Sequence, residues 1–335
     1  MANSNSSELN QHVIDWLLGE DQPSVRYYTL VDILDRKEND LQVREAYSRI
    51  PRLGWAKDIL ELQKLGGYWE PKEPALTPAN LMAWLDFLYL PKYVSTNWRA
   101  IVLSDLGLTS KDARIRKVAD LFFKYKLRLR SMVNIFNDEV CIVGNTARML
   151  TRFGHADDHR VRKLYDRLVE DQKEDGGWHC FESDRGTLDS WEALAAYVAL
   201  PKQKRTRSIE RSIERGAEFY LERKLFEEGR RYAPWFRFHY PNHYYYDILV
   251  GLDLMTGLGY ADDKRLAPAL RILNDKRQSD GTWLLDKVHP DIAPGARYNV
   301  DVKKVKPFAL EKPGEPSKWI TLNALRVLKR VREFS

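Results

Sequence analysis

The amino-acid sequence predicts an all-α fold, an (α/α)6 barrel or toroid of six helix pairs with an apolar inner ring and an amphipathic outer ring. Three observations predict it. The pattern at residues 154–160 recurs at 259–265, an offset of 105 residues. Apolar runs also end at about half that interval. Helices with one apolar face alternate with helices that are apolar nearly all round, as expected when an outer layer covers an inner one.

Length and composition are those of a folded globular protein. The chain has 335 residues, of which 44% are apolar and 30% are charged. No uninterrupted apolar stretch reaches the roughly 18 residues of a membrane span. The first residues lack both the basic cluster and the apolar core of a secretory signal, so we expect a cytoplasmic protein.

Charge and cysteine content exclude several classes. The net charge of +6 is modest, so we expect no nucleic-acid partner and leave a peripheral membrane contact open. With only Cys141 and Cys180, no disulfide framework is expected. No nucleotide-binding loop, zinc-protease motif or hydrolase nucleophile motif occurs.

The outer helices are predicted to begin at two Asp-Asp pairs, 157–158 and 262–263, where an aspartate can cap the first turn. Apolar residues follow each pair at helical spacing, opposite basic residues. In the first copy these residues are Val161, Leu164 and Leu168, and in the second they are Leu266, Leu270 and Leu273.

The inner helices are predicted from six apolar segments, which are 24–35, 95–106, 139–153, 187–200, 243–258 and 317–331. Six pairs close a ring, so we expect one domain over 1–335. Proline-rich irregular insertions are expected at about 70–94 and 286–316. An open superhelix of helix pairs is the structural alternative.

Three elements carry a resemblance to a known family. They are Gln63 to Trp69, Gln172 to Trp178 and Gln278 to Trp283, each with an intervening glycine. They resemble the Q-x-x-x-G-x-W repeats of the squalene and oxidosqualene cyclases and the related protein prenyltransferase β subunits. This terpenoid-cyclase-like resemblance implies an (α/α)6 toroid. It also implies that the motif glutamine and tryptophan tie one turn to a neighbouring helix, a stabilising and not a chemical role.

The same resemblance implies catalytic motifs that this chain lacks. The Asp-x-Asp-Asp of triterpene cyclases and the Asp-Asp-x-x-Asp of magnesium-dependent prenyl synthases are both absent. For the zinc site of protein prenyltransferases, Asp189 and His243 lie near the family positions. However, Trp191 stands in place of the cysteine, and Tyr244 takes the position of the histidine ligand. We therefore expect no metal and no cofactor, and the sequence leaves open whether the protein is an enzyme.

Polar residues just before the apolar helices are the candidate site, because inner-helix N-termini face the centre of such a barrel. Segment 235–247 is rich in aromatic residues, with Asp247 or His243 as a candidate acid or base and Arg237 as a candidate anion ligand. Its other candidate ligand-binding residues are His239, Tyr244 and Tyr246. The alternative is an aromatic plug that packs between helices.

A second cluster combines Asp189 and Glu192 with His179, Cys180 and Trp191. Three residues apart, the two carboxylates are predicted to share a helical face, where one of them can act as a general acid. A capping box around Thr187 is the simpler alternative. Trp98 and Trp319 are candidate cavity-lining residues that can also be ordinary core packing.

These observations support three functional hypotheses. The first is a terpenoid-cyclase-like protein that binds an isoprenoid or other hydrophobic ligand in a central cavity, with transformation of that ligand left open. The second is a noncatalytic helical scaffold with a protein partner, which predicts a sealed core. The third is a carbohydrate lyase or hydrolase on a similar barrel using His243, Tyr246 and Asp247, which predicts an open polar cleft.

Overall fold

The computed structural model describes residues 11–70, 93–125, 139–181, 183–229, 231–243, 245–288 and 310–333. Within these ranges the secondary structure is helical, with three isolated β-bridges and no strand, so the all-α prediction is confirmed. The α-helices are α1 Gln11–Leu17, α2 Pro23–Tyr28, α3 Leu41–Arg49, α4 Gly54–Glu61, α5 Thr96–Asp105, α6 Ala113–Tyr125, α7 Val140–Leu150, α8 His159–Glu170, α9 Glu192–Ala199, α10 Arg207–Glu222, α11 Ile248–Leu258, α12 Ala267–Asp275 and α13 Lys318–Glu333. Single π-helical turns, Thr29–Ile33 and Thr151–His155, extend α2 and α7.

The six segments predicted as inner helices coincide with α2, α5, α7, α9, α11 and α13. Two of them begin later than the sequence predicted. Helix α9 begins at Glu192, because Thr187 is held in a β-bridge by donating its backbone N–H to the Trp178 carbonyl over 2.9 Å. Helix α11 begins at Ile248, because Asp247 accepts the Val250 N–H over 2.9 Å and caps the first turn.

These six helices contact one another in series. Helix α5 packs on α7, α7 on α9, α9 on α11, and α11 on α13, which in turn contacts α2 and its π-turn. The last contact is fixed by an ion pair in which Arg326 Nε lies 2.8 Å from Asp32 Oδ2. Glycine permits the close approach of α7 to α9, since a Cβ on Gly144 would lie 2.5 Å from the backbone of Glu192.

The helices predicted as outer ones are amphipathic. Helix α8 lies against α7 and α10 and buries Val161, Tyr165 and Leu168, while Leu164 is half-buried. Both predicted aspartate caps are present: Asp158 accepts the Arg160 N–H and Asp263 accepts the Arg265 N–H, each over 2.8 Å. A connected hydrophobic core extends from α1 to α13.

The three motif tryptophans make the same contact. Each indole Nε1 donates to the carbonyl ten residues earlier, Trp69 to Ile59, Trp178 to Leu168 and Trp283 to Leu273, over 2.7 to 2.8 Å. All three rings are buried. Each tryptophan therefore fastens the loop after an outer helix back onto that helix.

The motif glutamines differ among the copies. Gln63 and Gln172 each reach a carbonyl of the next outer helix, those of Arg114 and Ser212. Gln278, which lies one residue nearer to its tryptophan, reaches only Lys276, two residues back. The implied role of the motif in joining neighbouring helices is therefore confirmed for the first two copies and not for the third.

Loss of the α8 cap should be measurable. Asp158→Ala is expected to lower the free energy of unfolding by about 1 kcal/mol near neutral pH, because the first turn of α8 loses its side-chain acceptor. The hydrogen bond from Arg160 lowers the pKa of Asp158 to about 2. This contribution is therefore present above the ordinary aspartate pKa and is lost as pH falls from about 4 to 2. Urea unfolding across this range tests it; equal losses in the control Asp157→Ala would contradict it, because Asp157 caps no helix.

Among the described helices, none is both long and apolar enough to cross a membrane. Most of the two predicted insertions, 71–92 and 289–309, lies outside the described residues, as does the candidate residue Tyr244.

Candidate functional site

Two cavities contain most of the predicted site residues. The first, with a volume of about 500 Å³, lies where α7 and α9 begin, and we name it the acidic cavity. Its walls include Glu139 and Cys141 from the start of α7, His179 and Cys180 from the loop after α8, and Asp189 and Glu192 at the start of α9. The structure thus brings together four members of the second predicted cluster: His179, Cys180, Asp189 and Glu192.

Glu192 is the most deeply buried carboxyl group of this cavity. Its side chain is 0% exposed, and among the described residues neither carboxyl oxygen has a hydrogen-bond partner. Burial raises the pKa of Glu192 well above its ordinary value, since an ionised carboxylate would be poorly solvated there. Glu192 is therefore a weaker acid than an ordinary glutamate and holds its proton to a higher pH.

Asp189 lies at the mouth of the same cavity and is exposed. Its Oδ1 accepts the indole N–H of Trp235 over 2.7 Å. Partial shielding from water raises the pKa of Asp189, against the opposing effect of this hydrogen bond. Because α9 begins only at Glu192, the two acids do not share a helical face as predicted. Both line the acidic cavity, with Asp189 exposed and Glu192 buried.

The capping-box alternative for this cluster is wrong. The residue before α9 is Trp191, which makes no side-chain cap. Thr187 Oγ1 instead donates to Glu228 Oε2 over 2.9 Å. The acids at 189 and 192 are thus not explained by the start of the helix.

Two free thiols line this cavity, Cys180 from the predicted cluster and Cys141 from the start of α7. The interaction between them lowers the pKa of Cys180 and, together with burial, raises that of Cys141. Cys180 Sγ also lies 3.9 Å from Ser190 Oγ. Cys180 is half-buried and is the more acidic thiol, so it can report on access to the cavity.

Aromatic side chains surround the entrance. Phe181 is 74% exposed and Tyr232 is 45% exposed, both unusual for large apolar groups, and Tyr245 completes this side of the wall. A ligand that enters therefore meets apolar rings first and the acid of Glu192 last.

The aromatic segment 235–247 is packed between helices. His243 is buried against the rings of Tyr93 and Trp98, and its carbonyl accepts Asn145 Nδ2 over 3.2 Å. Tyr246 is buried and donates its hydroxyl to the Leu225 carbonyl over 2.8 Å. These contacts favour the plug alternative for His243, Trp98 and Tyr246.

Asp247 is 1% exposed and its acceptors are occupied. Oδ1 accepts the Val250 N–H and Oδ2 accepts the His239 N–H, both over 2.9 Å. Its contacts are those of a helix cap and loop anchor. Arg237, in contrast, is exposed.

The second cavity, of about 270 Å³, lies among the C-terminal parts of α5 and α7 and the middle of α13. We name it the arginine cavity after Arg148, Arg152, Arg326 and Arg330. The candidate residues Trp191, His239, Asp247 and Trp319 also line it. Trp319 stacks on Tyr240 with ring centroids 4.6 Å apart.

These arginines were not predicted as site residues, although the sequence contains a pattern that indicates them. Arginines stand four residues apart in two predicted inner helices, at 148 and 152 in α7 and at 326 and 330 in α13. Paired cations on one face of an otherwise apolar helix indicate a polar space beside that helix.

The described part of the chain contains no group of three or more histidine, cysteine, aspartate or glutamate side chains placed to hold a metal ion. The chain matches no protein-family model, no curated protein and no solved structure.

Proposed function

We propose that the chain forms a toroid of six helix pairs that binds an isoprenoid or other hydrophobic ligand in the acidic cavity, where Glu192 donates a proton to an oxygen of that ligand. The observation that carries this proposal is Glu192 itself, a fully buried acid at a cavity wall whose oxygens lack a partner among the described residues.

The series of contacts from α5 through α13 to α2 supports the ring arrangement. The exposed rings of Phe181 and Tyr232 at the entrance support an apolar ligand. The cavities themselves favour ligand binding over a scaffold with a sealed core. The packed state of His243, Tyr246 and Asp247 gives no support to the carbohydrate hypothesis that relies on them.

The raised pKa of Glu192 limits which groups of a ligand this acid can protonate. Protonation of an unactivated alkene requires a strong acid, whereas burial makes Glu192 a weaker acid than an ordinary glutamate. Such an acid suits a carbonyl, ether or hydroxyl oxygen. The positive charge of Arg148 acts on Glu192 and favours the carboxylate that remains after the proton leaves. The ligand we propose is therefore an oxygen-bearing hydrophobic molecule.

Binding is tested by thermal unfolding with isoprenoid alcohols and ketones, and with hydrocarbons of the same chain length as controls. A ligand at 100 times its dissociation constant contributes about 2.7 kcal/mol, which shifts the midpoint by several degrees. Oxygenated ligands should also slow alkylation of Cys180 by iodoacetamide, because this thiol lines the same cavity. No shift with any ligand and unchanged alkylation would reject the proposed ligand class.

The role of Glu192 is tested with Glu192→Gln. The variant should bind the stabilising ligand within a few-fold of the parent but lose at least about 100-fold of any turnover found with it, since a positioned proton donor contributes about 10² to 10⁴. Glu170→Gln, an exposed site on α8, is the matched control. Equal turnover in both variants would remove Glu192 from the mechanism.

A further inference from the structure

We infer that the arginine cavity is a second binding site, which takes a small oxyanion, the phosphate or carboxylate group of a polar ligand. This second site lies in a different cavity from the acidic cavity and shares with the proposed function only Arg148, whose charge also acts on Glu192.

Four polar atoms of residues that line this cavity are buried without a hydrogen-bond partner among the described residues. They are Arg148 Nε, Trp191 Nε1, the Tyr240 hydroxyl and His239 Nδ1. They come from three parts of the chain, namely α7, the residue before α9, and segment 235–247. Buried polar groups are rarely left unpaired, because each one costs free energy. Their convergence on one cavity indicates a site shaped for a ligand.

These atoms are hydrogen-bond donors, so a ligand at this site must supply acceptors. The Arg148 Nε–H and the indole N–H of Trp191 can only donate, and the Tyr240 hydroxyl donates readily. His239 Nδ1 lies 3.5 Å from Asp247 Oδ2, so the donors of Arg148, Trp191 and Tyr240 are the ones left for a ligand. A ligand oxygen with several lone pairs satisfies such a set, and charged oxygens do so most strongly.

Charge compensation distinguishes Arg148 from the other three arginines. Arg152 pairs with Asp105, Arg326 with Asp32 and Arg330 with Asp253. Arg148 is 6% exposed, donates to Asn145 Oδ1, and reaches only to 3.8 Å from Asp105, which Arg152 already occupies. Asp247, the remaining carboxylate at the wall, is occupied by backbone donors. Arg148 is thus a buried cation with an incomplete counter-charge, which an anion would supply.

The test uses the full chain with inorganic phosphate, acetate and malonate as probes, in chloride buffer at matched ionic strength. At least one probe is expected to raise the midpoint of thermal unfolding saturably. The phosphate and carboxylate arms identify which oxyanion the cavity prefers. Absence of a saturable effect with all three would overturn the inference.

Variants locate the binding. Tyr240→Phe and Trp191→Phe each remove one donor and keep a ring, so each should lower the affinity for the anion about tenfold or more. Without anion, Tyr240→Phe should unfold at or above the parent midpoint, because the removed donor was unpaired, whereas Trp191→Phe should unfold below it, because the smaller ring leaves buried space unfilled. Arg148→Lys keeps the charge but loses Nε and should weaken binding likewise.

Tyr220→Phe is the control, because that hydroxyl already donates to the Leu188 carbonyl away from this cavity. Anion binding that is equally strong in the Tyr240, Trp191 and Arg148 variants would place the anion elsewhere and overturn the assignment.

Discussion

Glu192→Gln is expected to make the protein more stable at pH 7 to 8 than the parent, and the difference should disappear near pH 4. The cause is the raised pKa of the buried Glu192 carboxyl. Between the ordinary glutamate pKa of about 4.3 and the folded-state pKa, the folded protein holds a proton that the unfolded chain has released. Stability of the parent therefore falls as pH rises through this window.

The size of the effect follows from the same linkage. One proton costs about 1.4 kcal/mol of stability for each pH unit in the window. Glutamine does not titrate and has nearly the same shape, so the difference between variant and parent should grow by this amount per unit. It should level off above the folded-state pKa. Urea unfolding of both proteins at half-unit steps from pH 4 to 9 measures the curve.

The control is again Glu170→Gln, since Glu170 is exposed to water when the chain is folded. A Glu192→Gln curve parallel to that of the parent would show that the folded protein ionises Glu192 easily. It would then be unable to hold the proton that the proposed function requires. A rising difference would show that the protein carries a stability cost at this position, which is typical of functional sites.

The repeat in the sequence predicted which elements of the fold are equivalent. The spacing of the motif tryptophans predicted equivalent loops, and Trp69, Trp178 and Trp283 make equivalent contacts. Apolar periodicity predicted α5, α7, α9 and α11 because burial on nearly all sides leaves a run of apolar residues, whatever the neighbour is. Helix starts were less predictable: at α9 a β-bridge between Thr187 and Trp178 delays the helix to Glu192.

The candidate site was predicted only where its residues lie close in sequence. His179, Asp189 and Glu192 were grouped correctly into one cavity. Cys141, from the previous inner helix, could not be added because its meeting with Cys180 depends on how α7 packs on α9.

Likewise, the chemical state of Asp247 depends on groups that fold onto it. A buried aspartate before a helix can be a catalytic acid or a helix cap. Only the groups that donate hydrogen bonds to it, such as the backbone N–H of His239, distinguish the two roles.

Trp178→Ala is expected to lower the free energy of unfolding by about 3 to 5 kcal/mol, among the largest effects for a single residue in this chain. The ring is fully buried, and its Nε1 bond to the Leu168 carbonyl anchors the loop that leads to the acidic cavity. Trp178→Phe should cost less, since it keeps much of the apolar contact and loses the donor. Leu65→Ala, at a site 91% exposed, is the control and should change stability by less than about 0.5 kcal/mol.

A glycine opposite the ring makes the prediction more specific. A Cβ on Gly216 of α10 would lie 2.8 Å from the Trp178 ring, so Gly216→Ala alone should destabilise the protein by overpacking. In the Trp178→Ala background the ring contact is gone, the flexible end of Leu194 at 2.9 Å is the remaining close neighbour, and the methyl group also favours the helix. The two substitutions should then be strongly non-additive in a double-mutant cycle. Additive losses would mean that α10 does not rest on this tryptophan, and the loop would be held by other contacts.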